Sequence, residues 1–322
     1  MIFFQTTLLA MAKIVALGSI GYFLAKGKIL NEKTSKILAM FVIYVTLPLF
    51  IFSEIIHKFD FAEYPLWWVY PLLSIAITFF GWFLAIMHLK VVKHSVTSNE
   101  RRQLISLVAF QNSGYLPLII AAELFAPEVA GELFMYIFLF LIGFNFIIWS
   151  FGAWFLSGAT LRELKIGSLF SPPVVATVIS LVGVLFGLER FVSEEAVHYS
   201  HIIGKWTLPL AMIALGTNLA RVTLRSVKGR LIAPVCTMKL VVMPLCALLA
   251  IVLLRPSELL AFIILIELAV PSATSLSLIM RHSNIEDRCI SHGIFFTHIA
   301  SIITLPIFLI IFQLLRSRGY FG

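Results

Sequence analysis

An all-α integral membrane fold with ten transmembrane helices is what this sequence predicts, and three observations carry the prediction. The chain is 60% hydrophobic and 12% charged, with 29 Phe and a mean hydropathy of +1.01. Soluble domains hold roughly 25% charged residues, so a bilayer is the solvent that fits. Ten stretches approach the ~20 apolar residues that a helix needs to cross it. Two of the ten are interrupted by polar residues, glycine and proline.

In order, the stretches cover roughly 3–26, 37–57, 64–88, 102–125, 131–155, 172–189, 198–219, 231–254, 257–280 and 291–315. Residues 1–26 lack the charged start and cleavage site of a signal peptide, and Lys13 interrupts them, so they are expected to stay as the first span. The longest connection, 156–171, sets Leu161, Leu164, Ile166 and Leu169 among Arg162, Glu163 and Lys165; an interfacial helix and a plain linker fit it equally. A net charge of +8 would suit nucleic acid in a soluble protein. Here the basic residues flank apolar runs, where they set topology, and no nucleic-acid partner is expected. At span ends and connections, Lys and Arg number 16 on one side and 5 on the other. The richer side is expected to be cytoplasmic, giving a multi-pass plasma (inner) membrane protein with both termini outside. Tyr64, Trp67, Trp68 and Tyr70 then reach the outer interface, which favours amphipathic rings. The cysteines form no disulfide framework: Cys236 and Cys246 are too far apart within one helix, and Cys289 lies in a loop.

A repeat runs at half the chain length. Thr46-Leu47-Pro48-Leu49 returns 161 residues on as Thr207-Leu208-Pro209-Leu210, and Asn112-Ser113 maps onto Ala273-Thr274. Each half has an odd number of spans, so the halves must lie in opposite orientations. Residues 1–155 and 172–322 are read as two five-helix inverted repeats, joined by a cytoplasmic linker at 156–171. The interruptions fall at Phe110-Gln111-Asn112-Ser113-Gly114-Tyr115-Leu116-Pro117 in span four and Leu268-Ala269-Val270-Pro271-Ser272-Ala273-Thr274-Ser275 in span nine. Proline lacks the amide donor and glycine is a poor helix former, so both helices should break. Inside a bilayer a break survives only where protein or an aqueous cavity covers it. Breaks at matching places in two halves point to a transporter's binding site.

A charge at mid-bilayer costs on the order of 2.5–3.5 kcal/mol on insertion scales, so each needs a reason. Lys13, Lys205 and Lys239 lie deep in spans one, seven and eight, and Glu267 near the middle of span nine. Lys13 or Lys239 pairing with Glu267 to hold helices together competes with a substrate role. Glu54 and Glu123, near the outer ends, are expected to snorkel. Asn112 sits at the break beside unwound backbone and is read as facing a ligand. For Asn145 an interhelical hydrogen bond is the competing reading, and His298 is read as a packed histidine. Three deep lysines against one carboxylate, with two helix N-termini aimed at the midplane, suit an anion. The candidate substrate site is therefore Asn112, Ser113, Gly114, Pro117, Asn145, Pro271, Ser272 and Thr274, for a small organic anion. Glu267, Lys13 and Lys239 supply charge at depth. Glu267 is placed to carry a coupling proton or to help hold Na⁺; no cofactor is expected. Gly183-x-x-x-Gly187 permits close helix contact and a homodimer.

Four segments carry a family resemblance. Phe110-x-Asn112-Ser113-Gly114-Tyr115 resembles the F-x-N-[ST]-G-[FY] crossover of the auxin efflux carrier family, and Tyr44-Val45-Thr46-Leu47-Pro48 resembles its Y-x-x-L-P segment. Gly21-Tyr22 through Gly27-Lys28-Ile29-Leu30 is similar to its first loop. Ser171-Pro172-Pro173-Val174 is similar to its N-P-P-x-I entry to span six, with Ser for Asn. The resemblance implies a five-plus-five inverted repeat in which broken helices four and nine cross, with Asn112, Pro117 and Pro271 at the crossover and an organic anion as substrate. Glu267 departs from the small apolar residue expected there and is similar in place to the sodium-site acid of bile acid symporters. The long cytoplasmic loop of many plant auxin carriers is absent from this sequence.

Two other transport readings are a sodium-coupled symporter of the bile-acid type and a cation/proton antiporter, which would call for deep aspartates; Asp60 and Asp287 fall in loops. An intramembrane enzyme needs a nucleophile paired with a base or two deep aspartates, which the sequence does not supply. A sensor that binds without moving its ligand would be expected to carry a signalling domain.

Overall fold

Helices form wherever the apolar runs lead. The computed structural model describes residues 2–92, 96–158, 170–224, 227–282 and 288–321. The first half holds α1 (Ile2–Lys26), α2 (Glu32–Phe41), α3 (Leu47–Ile55), α4 (Val69–Val92), α5 (Ser98–Ala109), α6 (Tyr115–Leu124), α7 (Pro127–Ile147) and α8 (Ala153–Ser157). The second holds α9 (Pro172–Leu185), α10 (Glu194–Lys205), α11 (Thr207–Ala220), α12 (Gly229–Thr237), α13 (Met243–Leu254), α14 (Glu258–Ala269), α15 (Ser275–His282) and α16 (Arg288–Ser317). Among the described residues no strand is present beyond one isolated bridge. Most of the connection expected at 156–171 lies outside the described residues.

Several helices are halves of one longer rod. α2 runs into α3 through a π-helical turn, Val42–Thr46, closed by the Leu47 N–H bonding the Val42 carbonyl. α12 runs into α13 through Met238–Val242, closed by Met243 N–H on Met238 O. Pro48 and Pro244 account for both turns. A proline ring clashes with the carbonyl four residues back, and one extra residue in the turn moves that carbonyl aside. The third such turn, Ile148–Gly152 between α7 and α8, has no proline. There a Cβ on Gly152 would lie 2.6 Å from the Phe110 ring, so the glycine makes room for that ring.

Among the described residues, seven helical stretches are long and apolar enough to cross a membrane: Phe4–Lys26, Glu32–Ile55, Val69–Lys90, Pro127–Ser157, Glu194–Ala220, Gly229–Leu254 and Arg288–Ser317. α5 with α6, and α14 with α15, are the two interrupted stretches. α9 is shorter than its expected span, because Gly187 (φ 71°) turns the chain just past it. Gly183 and Gly187 therefore do not share a helix face.

α1 lies against α11, and α3 against α9 and α10; α4 packs on α5 and α7, α12 on α16, and α13 on α14. The buried core concentrates in α5, α6, α7 and α14. Outside it, Phe23, Leu72, Leu253 and Ile303 are all more than half exposed, an apolar exterior that lipid covers.

Candidate functional site

Local sequence sets both breaks. α5 opens with a capping box: Thr97 Oγ1 accepts from Glu100 N–H at 3.2 Å, and the Glu100 carboxylate accepts from Thr97 N–H at 2.9 Å. The helix stops at Ala109, and Phe110 is extended. α14 stops at Ala269 and Val270 is extended, as a residue before proline prefers. The two prolines differ in place. Pro271 lies in its gap, whereas Pro117 lies in the first turn of the helix that resumes, where its missing donor would have had no partner anyway.

The gaps meet. Asn112 N–H donates to Pro271 O at 2.8 Å and Ala273 N–H to Phe110 O at 3.0 Å, closing an antiparallel bridge between Gln111 and Ser272. Each gap thus satisfies backbone groups that the other has freed, which dry surroundings demand. Ser272 is pinned further: its Oγ donates to Leu107 O at 2.6 Å and its N–H to Thr297 Oγ1 at 3.3 Å. The bridge joins residues 161 apart. A second contact has the same separation of 161: Thr207 Oγ1 donates to Thr46 Oγ1 at 2.9 Å, both wholly buried.

Polar groups without partners collect here. Gln111 Oε1 and Nε2 are buried with no hydrogen-bond partner among the described residues, and Ser113 Oγ and both carboxylate oxygens of Glu267 are buried with no well-formed hydrogen bond there. An unsatisfied buried polar group costs about 1–3 kcal/mol, so a cluster of them is a liability that packing alone would not retain. The Ser113 hydroxyl lies near the Glu267 carboxylate, and Lys239 reaches it only through charge. Lys239, on the π-helical turn Met238–Val242, is wholly buried with Nζ 3.8 Å from Met243 Sδ, and it forms no contact ion pair with Glu267. Asn112 Nδ2 lies 3.1 Å from His298 Nε2, and His298 Nδ1 lies 2.8 Å from the Ile294 carbonyl. Gly114, Tyr115, Thr274 and Ser275 are only half buried, and a Cβ on Gly114 would meet nothing within 4 Å, so one flank of the crossover is open. Two cavities border α5, one lined by Ala85, Val108, Leu231 and Met238, the other by Ser98, Arg101 and Phe155; neither reaches a crossover residue.

Other candidates sit elsewhere. Lys13 pairs with Glu123 at 2.5 Å, tying α1 to α6, so it is not the partner of Glu267 and Glu123 does not merely snorkel. Asn145 donates to Leu141 O of its own helix at 2.8 Å and makes no bond to the crossover. Lys205 is exposed at the end of α10. Glu54, expected to snorkel, is instead 1% exposed beneath Lys58 (2.8 Å) and His201 (3.0 Å). Gln111 and the Asn112–His298 contact escaped the sequence reading. For Gln111 a signal existed: it and Ser272 lie inside the two breaks at the same 161-residue offset as the two Thr-Leu-Pro-Leu segments.

Two broken helices that bond to each other beside buried charge are the arrangement expected of a solute transporter. The family model described as membrane transport protein matches residues 6–160 and 156–309. The chain belongs to that family, the auxin efflux carriers, which are transporters and not enzymes. No curated protein matches it.

Proposed function

We propose that the protein is a secondary active transporter of a small organic anion, a carboxylate, working by alternating access at the crossover. The observation that carries this reading is the cluster of buried, unpartnered polar groups on Gln111, Ser113 and Glu267. They lie beside a wholly buried Lys239, where two broken helices bond to each other. Asn112, Ser113, Gly114, Pro271, Ser272 and Thr274 line the binding point. The helices that resume after the breaks turn their N-termini to it, with Pro117 in the first turn of one. Lys239 supplies the positive charge that an anion needs at depth. Lys13 acts as a tie between α1 and α6, and Asn145 serves its own helix.

The architecture in this reading is ten crossings: the seven long helices, the two interrupted ones and α9. Its five-plus-five inverted repeat is supported by the Gln111–Ser272 and Thr46–Thr207 contacts, since only residues beside a two-fold axis meet their own counterparts. The repeats are 1–155 and 172–322 around a cytoplasmic linker at 156–171, and the imbalance of Lys and Arg supports both termini outside the plasma (inner) membrane. The coupling ion is H⁺. A Na⁺ at Glu267 would have to share the buried carboxylate with the wholly buried Lys239 amine. One copy of the chain carries the whole site.

The test is uptake of radiolabelled lactate, malonate and malate into proteoliposomes under an imposed proton or Na⁺ gradient. Proton-driven accumulation that Glu267→Gln uncouples is expected. Accumulation driven by Na⁺ would move the protein to the bile-acid symporter type. Binding without flux would make it a sensor, and neither binding nor flux of any carboxylate would end the anion reading.

A further inference from the structure

His298 makes two contacts, and together they fix the chemistry of its ring. Nδ1 faces the Ile294 carbonyl at 2.8 Å, an acceptor only, so Nδ1 carries a hydrogen. In the neutral ring Nε2 is then a bare acceptor, and it takes its hydrogen bond from the Asn112 amide nitrogen at 3.1 Å. That contact orients Asn112, turning its Nδ2 to the ring and its Oδ1 away from it. Both side chains are more than nine-tenths buried, so neither partner is replaced by solvent at little cost.

A second proton on the ring reverses the arrangement. Nε2–H is now a donor, and an amide NH₂ cannot accept from it. The Asn112 side chain satisfies the ring by turning over, so that Oδ1 faces Nε2 and the NH₂ takes the place Oδ1 held. We propose that His298 is a positioning residue whose protonation turns the Asn112 amide over, so that the crossover offers a carboxylate an acceptor when the ring is neutral and two N–H donors when it is charged. This rests on the reading of Asn112 as facing an anionic substrate, and it supplies that reading with a means of coupling anion binding to a proton. The proton comes from the compartment to which the site is open and leaves with the anion on the other side. Ionisable groups on the elements packed against α16 include Lys239 on the π-helical turn, Glu267 on α14, Lys13 on α1 and Glu100 on α5. Lys13 and Glu100 are engaged with Glu123 and Lys228. The ring's hydrogen-bond partners among the described residues are Asn112 and Ile294.

The experiment is nitrogen NMR of wild-type protein in nanodiscs, with ¹⁵N-labelled histidine and asparagine, titrated between about pH 4 and pH 9. Signals are assigned by difference from His298→Gln and Asn112→Ser. The expected result is an Nδ1–H tautomer at high pH, and a step to the doubly protonated ring that the Asn112 amide signal follows with the same midpoint. An Nε2–H tautomer, a ring that never titrates, or a titrating ring that leaves the Asn112 amide unmoved would each overturn the proposal. Calorimetry with lactate, ionised from about pH 6 to pH 8, separates the two levels of the argument. Wild type should bind lactate on the order of tenfold more tightly at the lower pH, a charge-assisted hydrogen bond's worth, and His298→Gln should bind it with no such change. Equal pH dependence in both would also overturn the switch. If lactate fails to bind wild type at any pH, the reading of lactate as a substrate analogue fails, and the NMR result alone decides the switch.

Discussion

Removing Lys239 alone should cost more than removing it together with Glu267. Both side chains are wholly buried, Lys239 has only a thioether at 3.8 Å, and Glu267 has only the Ser113 hydroxyl and the Lys239 charge near its carboxylate. Their mutual attraction therefore offsets part of two desolvation penalties, beside the Ser113 hydroxyl near the carboxylate. Breaking a buried pair in contact costs about 3–5 kcal/mol, so about 3 kcal/mol is expected for these two, which are not in contact. Replacing both partners by apolar residues of similar volume is neutral or stabilising by about 1–4 kcal/mol. Lys239→Met and Glu267→Leu should each lower the thermal midpoint in detergent by on the order of 10 °C. The double variant should return to within a few degrees of wild type. A double-mutant cycle read by thermal unfolding measures the coupling directly. Two small, additive single effects would show that the pair does not act as one, and the reasoning about Glu267 would fall. Transport divides the roles: a stable double variant that still accumulates substrate would make the pair structural.

Three further outcomes follow from packing and charge. Thr207→Val should cost about 1 kcal/mol by removing the buried hydroxyl bond to Thr46. The Thr46→Val/Thr207→Val pair should cost less than the sum of its singles, as chemical denaturation can show. Gly216→Ala would drive a methyl onto the Gly18 carbonyl where α1 meets α11, and should destabilise by about 1–3 kcal/mol. Gly18→Ala, whose Cβ meets nothing within 4 Å, should be neutral or stabilising in the same melt. At the turn leading into α5, the Lys228 hydrogen bond, followed by that from the Thr97 backbone, holds the Glu100 carboxyl below its usual range. Its folded-state value is depressed, so its stabilisation is fully present above the usual glutamate value of about 4.3 and fades as pH falls through the lower folded value. Glu100→Gln should remove that acid-side loss and leave the melt at neutral pH only slightly lower; an unchanged acid profile would refute the assignment.

How much of this was legible follows from where each signal resides. Apolar length is a local property, so the long runs announced themselves, and the seven long helices lie where hydropathy put them. The gaps were legible too, because Gly114, Pro117 and Pro271 act on their own backbone; only Pro117's place in the resumed helix was misjudged. The repeated Thr-Leu-Pro-Leu segment even marked two residues that touch. The site's internal wiring was not legible. Asn112 and His298 stand 186 residues apart, and no local pattern couples them. Lys13 was an equal candidate for Glu267 until α6 brought Glu123 to it.

The sequence by itself determined that this chain lives in a bilayer, where its helices run and where two of them must stop, because hydropathy and missing donors act residue by residue. Which faces of those helices meet was decided only by the tertiary structure. A rod that is apolar all round gives no preferred face to read, and a single extra residue in a π-helical turn rotates everything beyond it. Lys239 lies on such a turn, so its approach to Glu267 belongs to the packing and not to the spacing of the letters.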